Sequence, residues 1–254
     1  MTRLYIIFLF TFLLLSCSDK PAPIVDPTIY GHEYFPLEIG KYRIYEVDSL
    51  QFDLGQGDLP VVDSSHFFMR VETVDQFDDQ TGETVFRIER YRAEALGDPW
   101  VIMDVVTESR TTNQAFHTEN NLRFIPLVFP LRENLEWDGL AFIPNDIIIY
   151  IKGEALEIFD NWQYRVLSTK ASEKIGTLDF EDVATIQQVA DTNIVELRYG
   201  IEKYAANVGL VYRERQMFDS FCKYIGETQP CIQLSWREKA GRGYLIREFL
   251  IDYN

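Results

Sequence analysis

His66-Phe67-Phe68-Met69-Arg70-Val71-Glu72-Thr73-Val74-Asp75-Gln76-Phe77, followed at once by Asp78-Asp79-Gln80-Thr81-Gly82, is the stretch from which the fold can be read. Phe67, Met69 and Val71 fall on one face at period two, with Arg70 and Glu72 on the other, the signature of a half-buried strand. The cluster that follows is turn sequence, and residues 85–95 resume the β pattern, so the pair predicts a β-hairpin. In the second arm Phe86 and Ile88 share one parity whereas Tyr91 and Ala93 share the other. A bulge near Glu89 and Arg90 would repair that phase slip.

The same periodicity extends in both directions. Upstream, Tyr42, Ile44 and Glu46 alternate with Arg43, Tyr45 and Val47 after Gly40, which fits a strand better than a helix. Downstream, residues 99–107 are apolar on both faces apart from Asp104, which predicts a central strand covered on both sides. Residues 113–118 and 122–129 supply two shorter candidates, Ile147-Ile148-Ile149-Tyr150-Ile151 is a β-branched run, and residues 155–159 read as a helical turn. Alternation returns at residues 162–168, 178–189, 195–199, 202–214 and 243–253. Long helices are nearly absent. The expected fold is all-β and predominantly antiparallel: a curved sheet, a sandwich or a partly open barrel with little helix.

The N-terminus carries an address. Arg3 and the free amine precede an apolar run, residues 4–15, broken only by Thr11. That order is a secretory signal peptide, and the run is too short for a spanning helix of about twenty residues. Leu14-Leu15-Ser16-Cys17 resembles the lipobox of bacterial lipoproteins, which implies diacylglycerol on the Cys17 thiol, cleavage before it and acylation, palmitate included, of the new amino terminus. Several acyl chains exceed the two signals a stable anchor needs. The expected organisation is therefore a signal peptide at 1–16, lipidated Cys17 with a Pro-rich tether at 17–33, and a β-rich extracytoplasmic domain at 34–254, with a subdivision considered near 129–137. Ser18 after Cys17 resembles outer-membrane sorting, the lipoprotein facing the periplasm or the cell surface.

Composition bounds the partners. Lys+Arg 24 against Asp+Glu 40 gives −16, and loss of residues 1–16 removes Arg3 and no acid. Such a balance repels nucleic acid. Hydrophobic residues at 46%, with 18 Phe and 14 Tyr, are enough for a sizeable core. With Cys17 assigned to lipid, Cys222 and Cys231 remain, and an even remainder in an oxidising compartment is most simply a disulfide.

Taken together, the lipobox, Tyr34-Phe35-Pro36-Leu37 with Gly40 and Tyr45, Phe129-Pro130-Leu131 with Trp137-Asp138-Gly139, and Glu202-Lys203-Tyr204-Ala205 with Val208-Gly209-Leu210-Val211 resemble uncharacterised lipoproteins of Bacteroidota-type bacteria. The resemblance implies an all-β extracytoplasmic domain and carries over no catalytic residue. Asn207 stands where glycine is usual, and asparagine tolerates the left-handed conformation better than other side chains.

Site chemistry is sparse. His32, His66 and His117 are isolated in sequence, no metal-ligand spacing occurs, and the hydrolase elbow, phosphate-loop and dinucleotide fingerprints are absent. No metal, cofactor or catalytic residue is expected. Asp75, Asp78, Asp79 and Glu83 crowd one turn but do not follow the EF-hand order, so hairpin chemistry explains them better than calcium. Trp100, Trp137, Trp162 and Trp236 are the aromatics to follow for a glycan or lipid platform, although period-two aromatics are more often core. The expected function is a membrane-anchored, non-enzymatic binding or assembly module of the cell envelope whose partner is an envelope protein, a lipid or a glycan. The alternative is an envelope hydrolase, such as a glycoside hydrolase, using a carboxylate pair.

Overall fold

The computed structural model describes residues 30–53, 61–144 and 146–254. The signal-peptide reading of 1–16, the lipidation of Cys17 and the tether as far as residue 29 lie outside the described residues. Within them the strands are β1 (Tyr42–Asp53), β2 (Val61–Asp78), β3 (Thr84–Ala93), β4 (Val101–Arg110), β5 (Ala115–Glu119), β6 (Leu122–Phe124), β7 (Glu136–Trp137), β8 (Ile149–Ile151), β9 (Glu154–Leu156), β10 (Tyr164–Ile175), β11 (Leu178–Thr192), β12 (Glu196–Ala205), β13 (Gly209–Ser220) and β14 (Ala240–Tyr253). Twelve of these form one antiparallel sheet in the order β6-β5-β4-β3-β2-β1-β14-β13-β12-β11-β10-β7, and β8 and β9 make a separate hairpin. The all-β, antiparallel expectation holds.

The sheet curves strongly without closing into a barrel. Its two edge strands, β6 and β7, do not pair; instead the chain beyond them bridges the gap. The Trp137 indole donates to the Ile125 carbonyl at 2.8 Å and the Ile125 N–H donates to the Gly139 carbonyl at 2.9 Å. Alternation then sends one face of nearly every strand inward. Tyr45, Val47, Phe67, Met69, Val211 and Leu250 pack in one buried cluster, and Tyr164, Val166, Ile186 and Met217 in another. Tyr34 and Phe35 join the second cluster from a 3-10 turn, His32–Tyr34. The Tyr34 hydroxyl donates to Asp182, and the Asn207 N–H donates to the Glu33 carbonyl at 2.7 Å. Two of the sequence motifs singled out above therefore meet in space. Asn207 itself adopts φ 63°, the left-handed conformation expected of it.

The β2–β3 hairpin is as predicted, longer at its start. Asp79 caps the turn by accepting from the Thr81 N–H, the Thr81 hydroxyl and the Glu83 N–H, so turn chemistry occupies the acid cluster. The irregularity expected near Glu89 and Arg90 is present: β3 pairs regularly with β2 from Ile88 to Ala93, and the register shift falls between Arg90 and Tyr91 on the β4 side, where Met103 of β4 is the extra residue. The apolar pattern breaks because Arg90, an arginine, holds an inward position.

Two further expectations are corrected. Residues 155–159 are not a helical turn; they begin in β9, the second arm of a short hairpin. More consequentially, β4 is not covered on both sides. Val101 is 65% exposed, Ile102 52%, Met103 43% and Val105 44%. β5 pairs only with the Thr107-to-Arg110 half of β4, because Asn120 and Asn121 (φ 51° and 62°) turn the chain back into β6. Asn-Asn at two positive φ values is the chemistry of a two-residue hairpin turn.

Between β13 and β14 lie two short helices, α1 (Phe221–Ile225) and α2 (Trp236–Lys239). Ser220 caps α1 by accepting from the Cys222 N–H at 3.1 Å, and Cys222 and Cys231 are joined by a disulfide. The excursion is thus pinned to the end of β13.

Gly243 of β14 lies opposite Phe52 on β1 and Phe218 on β13. Its φ is 117°, and a Cβ would sit 1.9 Å from the Met217 carbonyl oxygen. A methyl group there meets backbone on a central strand, whereas at Gly82, also at positive φ, it meets nothing within 4 Å. Gly243→Ala is expected to lower stability by about 2–4 kcal/mol and Gly82→Ala by about 1 kcal/mol. Urea melts of the two variants check the difference, and equal losses would refute the steric account.

Candidate functional site

The inward face of the curved sheet is not uniformly apolar. Register places Glu202 on β12 directly opposite Arg213 on β13, and Arg213 opposite Glu248 on β14. The result is a buried ladder across three strands. Arg213 Nε donates to Glu202 Oε1 at 2.8 Å and its NH1 to both Glu248 oxygens at 3.2 and 3.3 Å. Arg215, two residues along and therefore on the same face, donates to Glu202 at 3.1 Å and to Gln188 Oε1 at 2.9 Å. Tyr204 donates to the second Glu202 oxygen at 2.6 Å, and Gln188 donates to the Tyr164 hydroxyl at 3.2 Å. Glu202, 1% exposed, thus has both oxygens satisfied.

A second group faces it from β3, β4 and β5. Arg90 forms a two-pronged pair with Asp104, both bonds at 2.6 Å, and also donates to Glu119. His117 lies opposite Glu108 in the β4–β5 register. Its Nδ1 donates to Glu108 at 3.2 Å, and its Nε2 lies 3.5 Å from Glu119. Arg43 of β1 stands between the two groups and donates to the Val208 carbonyl at 3.5 Å.

The charges tune one another. Burial pushes the Glu202 carboxyl up, but Arg213 and Arg215 with the Tyr204 hydrogen bond hold it below the ordinary range. Burial likewise opposes ionisation of Glu108 and Glu119, and the His117 hydrogen bonds with the arginine charges overcome it in both. For His117 burial pushes down, and the two glutamates more than reverse that, leaving the imidazole above its ordinary value. A general acid for glycoside cleavage needs a carboxyl held protonated by a raised pKa. Glu108, Glu119 and Glu202 are shifted the opposite way.

Between the two groups lies a cavity of about 50 Å³. It is large enough for about three or four waters and far smaller than the roughly 300–1,000 Å³ of a small-molecule pocket. The interior is filled by its own side chains.

The residues chosen from sequence fall elsewhere. Trp162 is buried, donating to the Ile158 carbonyl at 2.6 Å, Trp137 bridges the sheet ends, and Trp236 stacks on Phe218; none of these three lines an open groove. His32 donates to the Thr112 carbonyl at 3.1 Å and packs on Phe129, while His66 pairs with Asp48 on the outer face at 2.9 Å. Only His117 enters the interior cluster. Among the described residues no group of three or more His, Cys, Asp or Glu side chains is placed to hold a metal ion.

No family profile and no curated protein matches the chain. Among solved structures it is similar to a candidate exported protein with a YmcC-like fold from Bacteroides fragilis, at 10% identity and a TM-score of 0.41. A candidate lipoprotein from Parabacteroides distasonis stands at 12% and 0.39. Each likeness covers 87% of this chain and 98% of the other.

Two consequences can be measured. Glu202→Gln leaves Arg213 and Arg215 short of a buried counter-charge and is expected to cost about 3–5 kcal/mol, read from urea unfolding; a loss under 1 kcal/mol would show that the ladder is not structural. The raised His117 pKa means that the imidazolium stabilises the fold. That contribution is complete below pH 6.5 and is lost as pH rises through the folded value. The lowered glutamates act in reverse, contributing above their ordinary range near pH 4.5 and failing as pH falls through the depressed values. The Tm difference between wild type and His117→Gln is therefore expected to be greatest near pH 6 and to shrink toward pH 9. A difference independent of pH would contradict this.

Proposed function

We propose that the chain is a membrane-anchored lipoprotein of the cell envelope whose β domain is a non-enzymatic assembly module, binding a partner protein on its outer surface. The carrying observation is the contrast between the two sides of the sheet. The interior carries paired charges around a cavity of about 50 Å³, small beside the roughly 300–1,000 Å³ of a small-molecule pocket. β4 leaves four apolar side chains exposed, Val101, Ile102, Met103 and Val105, the kind of patch that marks an interaction surface. The Cys17 lipobox supplies the anchor, Ser18 favours the outer membrane, and the net charge of −16 disfavours nucleic acid and anionic head groups.

The test uses the full-length protein in its native host. Wild type is expected to take up labelled palmitate and, after detergent extraction, to elute with a stoichiometric envelope protein, while Cys17→Ser takes up no label. An unlabelled wild type would overturn the anchor. An unaccompanied one that hydrolyses an envelope glycan would overturn the assembly reading in favour of the carboxylate-pair hydrolase.

A further inference from the structure

We infer that the free edge of β4, residues 101–106, receives an extended apolar and basic segment of a partner protein as an added strand. This rests on the assembly reading above and names where and by what chemistry the partner is held.

The backbone comes first. β4 pairs with β3 from Val101 to Ser109, but among the described residues the strand on its other side, β5, reaches only Thr107 to Arg110. The outward N–H and C=O groups of residues 101–106 therefore form an open half-ladder, the template that strand addition uses. Folded proteins ordinarily blunt such an edge with lysine, proline, a bulge or an inward-turned charge. Residues 101–106 contain no lysine and no proline; they carry the extra residue at Met103 and one inward charge, Asp104, held by the two-pronged bond from Arg90. The extra residue at Met103 does not close the edge, since Ile102, Met103 and Val105 all stay exposed.

Side chains supply the second argument. Pro99, Val101, Ile102 and Met103 line an open groove of about 510 Å³ whose rim carries Glu94 and Asp98. Glu89 stands opposite Val105 on β3. Arg92, which also lines the groove, is paired with Glu94, Arg87 with Glu89, and Arg90 with Asp104 and Glu119, so among the described residues Asp98 is the rim acid outside an ion pair. An apolar strip with that acid at its rim, on a chain of net charge −16, repels a second copy of itself and attracts a basic strand.

The probe is a synthetic peptide of about ten residues alternating valine and lysine, compared with a valine and glutamate version and a proline-interrupted one. Hydrogen exchange is followed on the full chain in detergent. The lysine peptide is expected to slow exchange across residues 101–106 about tenfold and to leave β14 unchanged, and the other two to do neither. The double variant Ile102→Lys, Val105→Lys, with its far-ultraviolet spectrum unchanged, is expected to weaken binding at least about tenfold. Protection elsewhere, or equal protection by the glutamate peptide, would overturn the inference. So would protection that grows with protein concentration alone, which would assign the edge to a second copy. A companion protein that still co-elutes with the double variant would overturn the β4 site while leaving the assembly reading intact; a wild type with no companion would overturn that reading whatever the peptide does.

Discussion

The Glu202–Arg213–Glu248 ladder is the constraint on which the rest of the fold depends. Taking charges out of water is costly, and their mutual attraction repays that cost only when geometry is good and the remaining hydrogen bonds are met. Here the register of three adjacent strands supplies the geometry, and Tyr204, Arg215 and Gln188 supply the remaining bonds. Because side chains alternate at period two, a slip of one residue between β12 and β13 would carry Arg213 to the outer face and leave Glu202 buried without it. Apolar residues would tolerate such a slip more readily than a charged pair does. The ladder thus fixes the pairing at the centre of a twelve-stranded sheet, where errors would propagate to both edges.

Curvature follows from what the two faces carry. The inner face must enclose the apolar clusters around Tyr45 and Tyr164 and shield the charges between them. The sheet therefore wraps until β6 and β7 approach, and the Trp137 indole and the Gly139 carbonyl tie the gap by hydrogen bonds to the Ile125 backbone rather than by a strand pair. Between the two charge groups the remaining cavity is about 50 Å³.

How legible this was in the sequence depends on the residue type at each inward position. Where Phe67, Met69 and Val71 or Tyr45 and Val47 point inward, alternation identified strand and face directly. Where Arg90, Glu202, Arg213 and Glu248 point inward, the same rule sends them to solvent. A usable signal was present: Glu202 and Arg213 flank the Asn207 turn at nearly equal distances, so a hairpin there sets acid against base on one face. His117 looked isolated because its partners, Glu108 and Glu119, are brought to it by strand pairing and by the strand's own alternation, neither of which a linear motif records.

β4 failed for a different reason, and the failure is informative. A strand apolar on both faces is normally one that other elements cover, so residues 101–106 read as central. They are uncovered because the Asn120-Asn121 turn ends β5 before it can run alongside them. Extending β5 by three or four residues would have paired this edge within the chain. The polar half of β4, from Thr107, is covered by β5, and the apolar half is left open, with its only charge bound by Arg90. The apolar pattern of a covered strand therefore stands on a half of β4 that, among the described residues, only β3 pairs.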